Sequence, residues 1–137
     1  MSIIRNLSLL TAAAAMSAAT LVAPPALAHS SDDDDDRDET IRTGQCTGAT
    51  DGKLKAKSDD GGIEVEAEID SNRTGEAWRW VIRHNGSVSA RGTSMTAGRS
   101  GSFDVERRMT DLSGTDQFVL RATNPASGET CRGVLSW

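Results

Sequence analysis

From Thr40 to the C-terminus, apolar and polar residues alternate with a period of two, and no segment sustains the 3.6-residue stripe of a helix. Leu54 and Ala56 alternate with Lys53, Lys55 and Lys57. After Asp59-Asp60-Gly61-Gly62, the residues Ile63, Val65, Ala67 and Ile69 alternate with Glu64, Glu66 and Glu68. Closing these runs through a four-residue loop sets Leu54 opposite Ala67 and Ala56 opposite Val65 on a dry side. The same register sets the three lysines opposite the three glutamates on a wet side. Charge and apolarity choose one register, which predicts an antiparallel hairpin.

A second hairpin is predicted from Ala77 to Arg91. Trp78, Trp80 and Ile82 share one face, Arg79 and Arg83 the other, and His84-Asn85-Gly86 forms the turn. A two-residue Asn-Gly turn is one solution. A three-residue loop with Gly86 left-handed is the preferred one, because Ile82 then meets Val88 and Trp80 meets Ala90 on one buried side. That register places Arg91 directly across from Arg79. Strands follow at Ser102–Arg108 with Phe103 and Val105 inward, and at Gln117–Thr123 with Phe118, Leu120 and Ala122 inward. The last runs from Glu129 to Trp137, with Cys131, Gly133, Leu135 and Trp137 on one face, and a first strand is expected around Ile41–Thr47. Residues 41–137 therefore read as an all-β, antiparallel two-sheet sandwich of about seven strands. Trp78 and Trp80, two residues apart beside Ile82, read as core and not as a sugar-binding platform.

The N-terminal segment has a different character. Residues 1–28 carry Arg5, an alanine-rich apolar run, Pro24-Pro25 and the small-x-small pattern Ala26-Leu27-Ala28, which predict a cleaved secretory signal peptide and a secreted product with no stable membrane insertion. Residues 29–40 hold seven acids against Arg37 and nothing apolar to bury, so a disordered acidic leader is expected. An EF-hand reading of that run fails: counted from Asp32, the sixth position is Arg37 in place of Gly and the twelfth is Thr43 in place of Glu. Beyond the leader, acids and bases balance.

The succession of a Trp strand, an Asn-Gly hairpin, Ser100-Gly101-Ser102-Phe103, and Asp111 and Gly114 before Phe118 resembles an immunoglobulin or fibronectin-III sandwich. More narrowly it resembles small secreted β-sandwich proteins of actinobacteria. The resemblance covers about residues 46–137 and implies an immunoglobulin-like fold, not an activity. Phe118 stands near the place of the family's corner Tyr, so the usual hydroxyl tether is missing. Cys46 and Cys131 fall in the first and last strands, which lie side by side in such sandwiches. Together with export this implies a disulfide.

No catalytic set is evident. The folded part has one His, His84, expected solvated in its turn, and no Ser lies in a Gly-x-Ser-x-Gly context. The expectation is no enzyme, no cofactor and no metal. One alternative is copper: cleavage after Ala28 would expose the amine and imidazole of His29, with His84 as second ligand. The favoured reading is electrostatic. By alternation Arg79, Arg83, Arg91, Arg121 and Arg132 all point outward from strands of one sheet, and arginine forks suit carboxylate, sulfate and phosphate. A non-enzymatic binding module for an anionic cell-surface polymer or an acidic protein is therefore expected. The bland alternative is a structural exported protein with no ligand, its arginines merely solvated in a chain of 12 Arg and 3 Lys. Nucleic acid is disfavoured by the formal net charge of -5 and the lack of an exposed aromatic platform.

Overall fold

The computed structural model describes residues 38–137, and the alternation there becomes nine strands. They are β1 (Glu39–Thr43), β2 (Gln45–Cys46), β3 (Asp51–Asp59), β4 (Gly62–Asp70), β5 (Ala77–His84), β6 (Ser87–Met95), β7 (Ser102–Thr110), β8 (Gln117–Thr123) and β9 (Thr130–Ser136). A four-stranded sheet runs β1-β3-β4-β7 and a five-stranded sheet runs β2-β9-β8-β5-β6, every pairing antiparallel. Their inner faces share one apolar core. Leu54, Ile63, Val65, Ile69 and Phe103 come from the first sheet, and Trp78, Trp80, Ile82, Phe118, Leu120 and Leu135 from the second. Residues 1–37, where the signal peptide and most of the acidic leader are expected, lie outside the described residues. Glu39 and Thr40 belong to β1.

The strand count exceeds the expected figure of about seven because the alternating segments already number eight and the N-terminal one divides in two. The run around Ile41–Thr47 breaks at Gly44 into β1 on one sheet and β2 on the other. Gly44 donates to Gly52 O at 2.7 Å, and a Cβ there would lie 3.1 Å from Arg132 O. The chain thus changes sheets at a point with little room for a side chain.

The β3-β4 register is the one that charge and apolarity choose: Lys53 pairs with Glu68, Leu54 with Ala67, Lys55 with Glu66, Ala56 with Val65 and Lys57 with Glu64. The ladder continues to Asp59 and Gly62, so the turn itself is Asp60-Gly61, with φ of 43° and 77°. Positive φ at both central residues matches the right-handed strand twist.

The β5-β6 hairpin departs from expectation. Its turn is the two-residue Asn85-Gly86, with φ of 47° and 85°, and His84 pairs with Ser87. A bulge then shifts the register between Ile82 and Arg83, so that Ile82 pairs with Ala90 and Trp80 with Gly92. The cause is the size of the indole. A Cβ at position 92 would stand 2.7 Å from Trp80 Cζ2, so this register needs glycine there. The three-residue loop would have put Ala90 at that place. In the observed register Trp80 Nε1 also donates to Ser94 Oγ at 3.0 Å. Trp78 and Trp80 are both core residues, 0% and 3% exposed.

Cys46 and Cys131 are register partners on β2 and β9 and form a disulfide spanning 85 residues of sequence. Such a bond belongs with an oxidising compartment.

Candidate functional site

The five arginines singled out from sequence all lie on the five-stranded sheet. Arg79 and Arg83 are on β5, Arg91 on β6, Arg121 on β8 and Arg132 on β9. The pairings Arg91 with Val81, Val81 with Arg121, Arg121 with Arg132 and Arg132 with Gln45 place one row across the whole sheet. Arg79 and Arg83 flank Val81 two residues along β5 in either direction. Register partners share a face, so all five guanidiniums leave the same outer face, and all five residues are exposed. Arg79 itself pairs with Thr93 and Arg91 with Val81, so the direct Arg79–Arg91 opposition expected from the three-residue loop does not occur. The direct cation pair is Arg121 with Arg132.

The five strands of this sheet contain no Asp or Glu. Among the described residues none of the five guanidiniums forms an ion pair, while Arg83 donates to Gly86 O at 3.3 Å. Half-buried Val81, Val119 and Val134 separate the charges along the face. Beside the disulfide lies a shallow depression of about 390 Å³, lined by Gln45, Cys46, Thr47, Arg121, Thr130, Cys131 and Arg132.

On the outer face of the other sheet every lysine is matched within the ladder, while β7 sets Glu106 opposite Glu66 and Asp104 opposite Glu68. Lys53 pairs with Glu68, Lys55 with Glu66 at 2.5 Å and Lys57 with Glu64 at 2.9 Å. Hydrogen bonds from Lys53 to Glu68 and from Lys57 to Glu64 raise both ammonium pKa values above the ordinary lysine range.

His84 is not solvated. It ends β5 with its side chain 11% exposed, stacks on Phe118 at a centroid distance of 4.6 Å, and joins Nε2 to Asp116 Oδ1 at 2.5 Å. Asp116 is fully buried and also accepts from Asn85 Nδ2 and from the Leu112 N–H, both at 3.0 Å. Burial alone would raise its pKa. The hydrogen bonds from His84, Leu112 and Asn85 outweigh that and hold the carboxyl below its usual range. This cluster binds the β5-β6 turn to the β7-β8 loop. The Asp116 bond to the Leu112 N–H ties the loop back on itself near Phe118. Sequence reasoning missed Asp116. An Asp after Ser113-Gly114-Thr115 reads as an ordinary turn residue, and its partners His84 and Asn85 lie about thirty residues upstream.

Arg107 is a further cation that alternation misplaces. It falls in register with inward-facing Val65, yet it is exposed and reaches over the Trp80 ring, 5.2 Å from its centroid. It covers the indole at the side of the sandwich bounded by β6 and β7.

Among the described residues no group of three or more His, Cys, Asp or Glu side chains is arranged to hold a metal ion. His29, the first ligand of the copper alternative, lies outside the described residues, and the Nε2 of its suggested partner His84 is taken by Asp116. Comparison with known proteins returns no matching family model, no matching curated protein and no matching solved structure.

Proposed function

We propose that this protein is an exported, immunoglobulin-like sandwich that acts as a non-enzymatic binding module, holding an anionic cell-surface polymer or an acidic partner protein on its arginine face. The observation that carries the reading is the set of five exposed arginines on strands holding no carboxylate. Like charges in neighbouring positions destabilise a sheet, so a face of this composition gains when an anion lies across it. Guanidinium forks make paired, charge-assisted hydrogen bonds to oxyanions. The immunoglobulin-like reading draws support from strand order: β8 lies between β5 and β9 as F lies between C and G in an immunoglobulin sheet. Export draws support from the disulfide and from the cleavage pattern before His29.

The test is binding of the mature protein to polyphosphate, a sulfated polysaccharide and polyglutamate across a salt series. Affinity for at least one polymer is expected to fall steeply with salt and to vanish when Arg79, Arg83, Arg91, Arg121 and Arg132 are all changed to Glu. Binding that persists unchanged at about 0.5 M salt, roughly three times physiological ionic strength, or survives the charge reversal, overturns the proposal.

A further inference from the structure

Resting on the reading of the arginine face as a polyanion surface, we infer that Arg121, Arg132, Gln45 and Thr47 form a subsite for one tetrahedral oxyanion, a phosphate or sulfate group of the ligand, at the β2 edge. The five arginines are not equivalent. Val81 stands between Arg91 and Arg121 in the cross-sheet row, and Arg83 is partly occupied by Gly86 O. Only Arg121 and Arg132 are direct cross-strand neighbours, and both line the depression beside the disulfide. Gln45 continues the same row as the register partner of Arg132. Thr47 lines the depression too. Its Oγ1 accepts from the Thr130 N–H at 3.0 Å, which leaves the hydroxyl hydrogen to donate to a ligand.

Donor number argues for a tetrahedral anion. Two guanidinium forks, one amide NH2 and one hydroxyl offer about seven donors, against about four lone-pair sites on a carboxylate. A phosphate monoester brings three terminal oxygens and a charge of about −1.5 to −2, which matches two opposed arginines. The polar partners are also held in place. β2 is only two residues long, and the Cys46–Cys131 bond and the Thr47 N–H to Thr130 O bond at 2.9 Å fix it against β9. Gln45 and Thr47 therefore stand beside the guanidiniums before any ligand arrives, which lowers the ordering cost of binding.

The experiment titrates inorganic phosphate, inorganic sulfate and acetate into the mature, disulfide-bonded protein at constant ionic strength, with backbone amide NMR shifts as the readout. Phosphate and sulfate are expected to shift Gln45, Thr47, Arg121 and Arg132, and acetate to leave them in place. Arg121→Gln and Arg132→Gln should each weaken phosphate binding about tenfold or more, the loss expected for a charge-assisted hydrogen bond. Arg99→Gln, in the exposed turn between β6 and β7, should leave it unchanged. Equal shifts with acetate, shifts spread evenly over the sheet, or an Arg99→Gln loss as large as that of Arg132→Gln overturn the subsite. Polyphosphate and a sulfated polysaccharide, run in parallel, separate the two sources of the anion. If the double variant Arg121→Gln/Arg132→Gln binds both polymers as wild type does, the subsite fails and the broader reading stands. If wild type binds no polyanion, both fail.

Discussion

The two outer faces obey one rule of sequence and end in opposite electrostatic states. On the four-stranded sheet each lysine of β3 meets a glutamate of β4 directly across the ladder. On the five-stranded sheet the charges are all arginine, and one of them, Arg121, meets another, Arg132. Exposed ion pairs stabilise by only about 0.2–1 kcal/mol each, so the lysine–glutamate ladder acts mainly on register: a one-residue slip would bury every charge. The arginines select no partner strand, because none of the five meets an opposite charge across the ladder. Alternation decides which side chains face water. Whether a charge is consumed within the sheet or left for another molecule depends on what stands opposite.

The largest effect in that contrast is expected at the clamp beside the arginine row. Replacing Cys46 and Cys131 by Ala opens a loop with a sequence separation of 85, for which chain entropy gives a loss of about 4–5 kcal/mol. Urea unfolding should show it as a lower midpoint. Amide exchange should show Gln45 and Cys46 losing protection first, ahead of the β3-β4 ladder. A loss below about 1 kcal/mol would mean that β2 is held by its hydrogen bonds alone.

Next in size is the cluster that ties down the turn of the arginine-bearing hairpin. Asp116→Ala leaves the Leu112 N–H, Asn85 Nδ2 and His84 without their acceptor, and removal of one buried partner of this kind costs about 2–4 kcal/mol. The pH dependence has a definite sign. A carboxyl whose folded pKa is depressed contributes stability that is complete above its unfolded value, near 4, and is lost as pH falls through the folded value. Wild type should therefore lose stability more steeply than Asp116→Asn below about pH 4–5. Equal acid slopes in chemical denaturation would show that the carboxylate is not held low.

The same contrast explains what could be read in advance. The β3-β4 hairpin was legible to the residue because two independent signals, charge and apolarity, vary along one stretch of chain. The parity of Trp78, Trp80 and Ile82 was legible for the same local reason, and parity alone sends the five arginines to one side. The β5-β6 register was not, since it turns on the bulk of the Trp80 indole against Gly92, a contact between side chain and backbone that alternation does not encode. The His84–Asp116 pair was illegible because its members come from the end of β5 and from the β7-β8 loop, far apart in the chain. The break at Gly44 was hidden because a change of sheet leaves the period of two intact.

A smaller effect separates the faces by mutation. Lys55→Glu sets a carboxylate directly opposite Glu66 and diagonal to Glu64 and Glu68, so both the pair and its attraction are lost and repulsion is added. A loss of about 1 kcal/mol is expected in urea unfolding. Arg91→Glu, opposite Val81, should change stability by no more than about 0.5 kcal/mol. If the two substitutions cost the same, the distinction between a consumed and an unconsumed charge has no energetic content.

The smallest effect is the most discriminating, because it concerns sign. Arg121 and Arg132 stand opposite each other in the ladder with no carboxylate beside them, so their interaction in the free protein is repulsive. Neutralising one of them, as Arg121→Gln, should raise stability by about 0.2–0.5 kcal/mol at low salt. Screening with about 0.5 M sodium chloride should remove most of that gain, since salt relieves in wild type what the substitution has already relieved. On the other sheet salt weakens the lysine–glutamate attractions and relieves the Glu66–Glu106 and Glu68–Asp104 repulsions, to the same extent in both proteins. A double variant lacking both Arg121 and Arg132 charges should therefore lose more stability on addition of salt than wild type does. If salt shifts the two proteins equally, the arginine pair carries no net repulsion, and the thermodynamic motive for it to take an anion is gone.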